Sequence, residues 1–494
     1  MSDSKASYKQ IMKATSIFGG VQVFNILIQI VRSKFVALLL GPSGMGFFGL
    51  LTTTINLVAT ITNLGLSNSA VRNIAAANNG TNSESDISYT VSIFRKLVWF
   101  TGLFGLLTVL IFSPLLSSLT FNNTKYTYAF AILSVTLLVN QLAAGQRVLL
   151  QGMRQIKLLA QTNIVGSVGS LIVTLPLYYL YGIDGVVPAM VVTAVVTLII
   201  QFFFSRKLVI KKISMSVREA VVKGSDMIKM GVILSLSGLI SAAASYLVRI
   251  FISHNGSMAD VGLYNAGFNI IGSYVGLVFS AMTTDYYPRL AAVSKNREES
   301  NSLINDQFEV AIYILSPLLC IFIVFISWIV VLLYSTKFLP ISEMVHWAIL
   351  GIFFKAMSWS VGVLIMARGD SKYFFWNELV ANIYLLSFNI LGYHFFGLEG
   401  LGISFLVGYI VHALQIYFFA RIKYNFKLEN SILVLFFINI SLALVCFLVN
   451  KTLEPVYNYL IGGLCILISG YYSIYSLNKK TDVISLIIKK LKKK

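Results

Sequence analysis

Arg32 and Lys34 stand inside an apolar run, QVFNILIQIVRSKFVALLLGPSG, over residues 22–44. A cation in hydrocarbon costs roughly 2.5–3.5 kcal/mol on insertion scales, so water or a counter-charge has to offset it. Gln22, Asn25, Gln29 and Arg32 are spaced 3, 4 and 3 residues apart and therefore share one helical face. Thr52, Asn56, Thr60, Asn63 and Ser67 form a second polar stripe. Ser237, Ser241, Ser245 and Arg249 form a third, and Asn265, Asn269, Ser273, Ser280 and Thr284 a fourth. Lys355 is another cation central in an apolar stretch, with no acidic residue nearby in sequence. Guanidinium groups suit phosphate, because they bind it bidentately and stay protonated. Amides and hydroxyls around them suit a hydroxyl-rich ligand such as a sugar.

Lys34 departs from this pattern. Two residues rotate about 200° along a helix, so Lys34 leaves the face of Arg32. It lies six residues from Leu40, about 9 Å along the axis, and can snorkel outward. Asp260 and Asp285 lie near the ends of their run, where salt-bridge or surface roles suit them.

The elements that carry these residues follow from composition. At 57% hydrophobic residues, 12% charged and a mean hydropathy of +0.80, the 494-residue chain is too apolar for a water-soluble fold. Fourteen stretches reach the ~20 apolar residues a crossing needs. The first covers 15–40, the second 46–68, the seventh 228–252, the eighth 260–284, the tenth 343–366 and the last 456–476. The expected fold is an all-α polytopic membrane protein.

The net charge of +19 resides on one side of this arrangement. Alternate loops and both termini carry 31 Lys and Arg, whereas the opposite loops carry Lys125, Lys337 and Lys451. This positive-inside asymmetry places both termini in the cytoplasm and excludes a nucleic-acid partner. The tail SLIIKKLKKK and the segment SRKLVIKKISMSVREAVVKG suit anionic lipid at the inner surface.

An internal repeat organises the chain. Arg32 recurs as Arg249, Gly46 as Gly262, Arg72 as Arg289, Gly152 as Gly369 and Gly182 as Gly397, at offsets of 217, 216, 217, 217 and 215. Six spans per copy keep the two copies in the same orientation, related by an axis along the membrane normal. The expected domains are a six-helix lobe over 1–210, a second over 211–425, an extra helix pair over 426–478 and a basic tail over 479–494. Any one polar residue could simply join two helices. Four stripes on two repeat-related pairs, two of them ending in arginine, favour a shared aqueous cavity.

Enzyme and metal signatures are missing. GMGFFG, residues 44–49, matches a dinucleotide fingerprint literally, but no strand precedes it. His254, His346, His394 and His412 are scattered, and Cys320, Cys446 and Cys465 match no metal or disulfide spacing. No catalytic residue, metal or cofactor is expected.

The segments LLLGPSGMGFFGL, GLSNSAVRNIAA, ADVGLYNAGF running to DYYPRLAAV, and LLYSTKFLPISEMVHWAILGIFFKAMSWSVGVLIMARGDSKYFFW resemble the Wzx-type flippases of O-antigen and related polysaccharide repeat units. These belong to the multidrug/oligosaccharidyl-lipid/polysaccharide exporter superfamily, and the likeness runs over roughly residues 10–425. The resemblance implies two lobes forming a V, with spans 1, 2, 7 and 8 lining a cationic cavity. It implies an oligosaccharide on undecaprenyl pyrophosphate, flipped across the bacterial inner membrane by alternating access, with a polysaccharide polymerase as a further partner. By position, Lys34, Arg249 and Lys355 match basic sites of the family pattern, and Asn68 and Arg72 match the Asn and basic residue after its second helix. Arg289, the repeat mate of Arg72, joins them at an inner gate. Arg32 rests on the stripe and the repeat instead.

Other functions compete. A peptidoglycan-precursor flippase shares the lobes and the fourteen helices. A cation-coupled drug exporter would want a carboxylate in the cavity. A polymerase would need a large outer loop, and those here reach about a dozen residues at most. The charge split itself predicts accessibility: single cysteines at Asn123, Ser257 and Asn450 should react with an impermeant thiol reagent on intact cells. Ones at Ser294 or Ser476 should not react on intact cells, and labelling of Ser294 in sealed cells overturns the orientation.

Overall fold

The computed structural model describes residues 2–78, 83–211 and 213–481, with side chains from residue 24 onward. The Gln22 and Thr284 side chains and the tail from 482 lie outside the described residues. Every regular element among those described is helical: α1 Ser2–Thr62, α2 Leu66–Asn78, α3 Ser83–Phe121, α4 Thr127–Gly152, α5 Ile156–Tyr181, α6 Val186–Ser205, α7 Val217–Lys223 and α8 Ser225–Asn255 in the first half. There follow α9 Met258–Asn269, a π-helical turn Ile270–Val275, α10 Gly276–Val293, α11 Arg297–Leu333, α12 Ile341–Ala367, α13 Ser371–Tyr424, α14 Asn430–Thr452 and α15 Pro455–Thr481. Among the described residues, eleven helical stretches are long and apolar enough to cross a membrane. Three of them break, at Gly41, Gly182 and Gly397, where φ is 64°, 55° and 58°. With two crossings in each of the three, the described residues make fourteen. Glycine reaches these left-handed angles without the cost a Cβ imposes, and Pro42 after Gly41 removes a backbone donor from the ladder.

By contacts the chain forms two compact units, residues 1–262 and 263–494. The first is sealed near Arg147 by Leu66, Ala70 and Ile74 of α2 packing on Val91, Phe94 and Leu97 of α3, with Ala220 of α7 against them. In the second, Tyr286 and Leu290 of α10 pack on Val361 and Leu364 of α12, with Ile416 and Ala420 of α13.

The repeat is written into the backbone. At the end of α4, Arg154 N–H donates to the Gln151 carbonyl at 3.1 Å and Gln155 N–H to Leu150 at 2.8 Å. At the end of α12, Gly369 N–H donates to Met366 at 3.0 Å and Asp370 N–H to Ile365 at 3.2 Å. Both ends are the same Schellman closure, with a left-handed residue at its turn. This corrects one pairing: Gly369 (φ 76°) corresponds to Arg154 (φ 55°), not to Gly152. The offset is therefore 215 from this turn through Gly182 and Gly397. Gly152 serves packing, since a Cβ there would press on Ile74. A left-handed angle costs an L-residue roughly 1–2 kcal/mol, which Gly369 avoids and Arg154 bears.

Within the first unit, Gly46 and Gly262 let two backbones touch. A Cβ on Gly46 would collide with the Met258 carbonyl, and one on Gly262 with the Pro42 carbonyl. Both pairs sit at the repeat offset of 216, so the contact is reciprocal, as in an isologous interface. Gly262→Ala should lower the unfolding midpoint in detergent by the equivalent of about 1–3 kcal/mol, the usual cost of overpacking. Gly238→Ala in α8, where a Cβ meets open space, should leave it unchanged or raise it. An unchanged midpoint for Gly262→Ala refutes the close approach.

Candidate functional site

Arg32 lies on α1 before the Gly41 break, half-buried. With Asn25 and Gln29 it lines a cavity of about 420 Å³, opposite Asn163, Ser167 and Ser170 of α5 and Thr197 and Gln201 of α6. The Ser167 hydroxyl donates to Asn25 Oδ1 at 3.1 Å. Arg32 and Thr197 also line a second cavity of about 170 Å³, with Thr52 and Asn56 of α1, Asn140 of α4 and Tyr178 of α5. The Tyr178 hydroxyl is paired with the guanidinium.

A third cavity, of about 700 Å³, opens where α2, α4 and α5 meet. Ser67 and Asn68, Arg147 and Gln151, and Arg154, Gln155 and Asn163 line it. Asn163 also lines the 420 Å³ cavity, so the three chambers share walls in series. None of their lining residues is acidic. Such a set can hold an anion with several oxygens on its guanidinium groups and hydrogen-bond hydroxyls through its amides.

The remaining sequence candidates are placed as follows. Lys34 is not among the residues lining these chambers. Arg249 folds back on α8, donating to the Ser245 carbonyl at 2.9 Å and to the Ser245 hydroxyl. Ser241 is exposed on the same helix. Thr60 bonds the Asn56 carbonyl at 2.8 Å, a turn back along α1. Asn63 Oδ1 accepts the Gly65 N–H at 2.8 Å, which fixes the turn between α1 and α2. Arg72 Nη1 reaches Met230 Sδ at 3.4 Å.

In the second unit, Asn265 and Asn269 lie on α9 and Ser273 on the π turn. The Ser273 hydroxyl donates to Asn269 Oδ1 at 2.6 Å. Arg289 pairs with Asp285 at 3.0 Å in an exposed position. Lys355 on α12 sits in an aromatic cage, its Nζ 5.3 Å from the Tyr409 ring centre, 5.8 Å from Phe279 and 5.9 Å from Phe405. Cation–π attraction from these faces offsets part of its desolvation.

The polar residues of α5 and α6 and the arginines 147 and 154 were not among the sequence candidates. Asn163, Ser167 and Ser170 are spaced 4 and 3 residues apart, the same signal as the stripe on α1. No charge ends that stripe, so it reads as helix joining.

Fourteen crossings in two units, with polar chambers inside the first, define a polytopic all-α membrane protein. The chain belongs to the polysaccharide biosynthesis protein family, which it matches over residues 35–343. It is 20% identical to a lipid III flippase of Escherichia coli strain K12 over 393 residues, 77% of this chain and 90% of that protein. Its fold is similar to that of the lipid II flippase MurJ in an inward-closed conformation. There the TM-score is 0.68 at 14% identity, covering 96% of this chain and all of the other. An inward-facing multidrug resistance transporter of the MATE family, in the MOP superfamily, gives a TM-score of 0.64 at 16% identity over 82% of this chain and 94% of its own.

The cage makes a stability prediction. Lys355→Met should unfold at or above the wild-type midpoint, since a thioether fits among aromatic rings without desolvation. Tyr409→Leu should unfold lower, because Lys355 keeps its charge and loses its nearest ring. Equal midpoints for wild type and Tyr409→Leu exclude the cation–π contribution.

Proposed function

We propose that this protein is a flippase for a saccharide linked to a polyprenyl diphosphate, which it moves from the inner to the outer leaflet of the bacterial cytoplasmic membrane. The observation that carries the reading is the setting of Arg32, a guanidinium among amides and hydroxyls with no acidic residue in the same chambers. A diphosphate supplies the missing counter-charge, and sugar hydroxyls match the amides. No bond is made or broken. The lipid tail stays in the bilayer while the head crosses a wet groove that opens to one side at a time. Arg249, Lys355 and Lys34 are the further cations assigned to this traffic, with Asn68, Arg72 and Arg289 toward the inner gate. The carboxylate-free chambers speak against a cation-coupled drug exporter, whose fold is otherwise similar.

The likeness to a lipid II flippase along 96% of the chain favours a peptidoglycan-type lipid precursor as cargo. Membership of a polysaccharide biosynthesis family supports a second reading, an O-antigen or other surface-polysaccharide repeat unit handed on to a polymerase.

Depletion of the protein should make a lipid-linked saccharide accumulate on the inner leaflet, and mass spectrometry of that lipid separates the two cargoes. Arg32→Ala, folded and inserted, should reproduce the accumulation and lower translocation at least tenfold. Arg32→Lys should retain part of the activity, keeping charge but losing bidentate geometry. Normal translocation by Arg32→Ala removes the phosphate from this site.

A further inference from the structure

Arg147 and Arg154 face one chamber from two directions, Arg147 from the last turns of α4 and Arg154 from the turn into α5. Neither makes an ion pair among the described residues. Two like charges lining an acid-free chamber repel each other, which favours entry of an anion between them.

The backbone at Arg154 points the same way. Its φ of 55° is left-handed, and the corresponding turn of the second repeat uses Gly369 at 76°. The closure works with glycine, so the arginine is not there for the turn. A strained residue that the fold does not require marks a position kept for its side chain.

The rest of the repeat sharpens the contrast. At the offset of 215, Arg147, Arg154, Gln155 and Asn163 correspond to Gly362, Gly369, Asp370 and Glu378. At the offset of 217, Asn68 corresponds to Asp285. The chamber positions thus hold two cations and no acid in the first repeat, and three acids and no cation in the second. The architecture tolerates either sign, so the fold does not impose the positive charge of the first repeat.

We propose that Arg147 and Arg154 form a phosphate-binding site distinct from Arg32, the first station for the diphosphate head before it passes Asn163 into the Arg32 chamber. The assignment of cargo rests on the flippase reading. The affinity for a phosphate group does not, and anionic bilayer lipid is the other source of the same chemistry.

The test uses the full-length protein in detergent and in nanodiscs, with inorganic pyrophosphate as probe. Arg154→Gly should unfold at a higher temperature than wild type, because the strain is gone. It should also lose the part of the pyrophosphate stabilisation that an Arg32→Ala variant retains, and its translocation should fall at least tenfold. Arg147→Gln should lose the same pyrophosphate shift without the gain in stability. An Arg154→Gly variant that binds pyrophosphate and translocates like wild type overturns the site. If pyrophosphate never stabilises, but phosphatidylglycerol nanodiscs do so only with Arg154 present, the site belongs to bilayer lipid and the cargo station is wrong. If wild type binds pyrophosphate through both arginines yet translocates no lipid-linked saccharide, the site stands and the flippase reading falls.

Discussion

A guanidinium without a carboxylate has to be kept wet, and that requirement organises the first half of this chain. Arg32 sits in a largely apolar run of α1, and α4, α5 and α6 turn their amides and hydroxyls toward it. Ser167 bonded to Asn25 and Tyr178 paired with Arg32 are the contacts that hold the wall together. A carboxylate in the same place would neutralise the charge at once, and the chamber would then have no reason to accept an anion. Leaving the charge unmatched keeps the binding energy available for a ligand that carries its own negative charge.

Membrane packing decides how the polar interior is closed off. Helices in lipid gain little from burying apolar surface against each other, so they gain from close approach instead. Gly46 against Gly262 brings α1 within backbone contact of α9, and Gly65 against Gly231 brings the turn that ends α1 within backbone contact of α8. Two such contacts along one bundle fix the path of α1 at both ends of its second crossing. The stripe on α1 is thereby aimed by glycine positions as much as by its own spacing.

Much of this was legible in the residues. The crossings followed from apolar length, and the breaks from Gly41, Gly182 and Gly397 at repeat-related or proline-flanked places. The face shared by Asn25, Gln29 and Arg32 followed from helical spacing alone. What spacing cannot give is the partner of a face. The polar residues of α5 carry no charge, and their stripe is indistinguishable from one that joins two helices until α1 is seen opposite. Asn63 shows the converse: it continues the stripe on α1 by number, yet its carboxamide is consumed by the Gly65 turn. Lys355 was visible as a cation without an acid, but the rings that hold it come from two other helices, Phe279 on α10 and Phe405 and Tyr409 a turn apart on α13, and no local pattern gathers them around α12.

The two copies of the repeat also separate what the fold needs from what the site needs. Positions alike in both, such as the Schellman closure and the glycine hinges, answer to backbone geometry and are indifferent to cargo. Positions that differ in charge answer to something outside the backbone. Arg154 belongs to both sets, a closure residue by its hydrogen bonds and a charge by its side chain, and the two roles conflict at a left-handed φ. A sequence optimised for stability alone would resolve the conflict with glycine, as the second repeat does. That the first repeat keeps arginine is the mark of a function drawing on the stability of the fold.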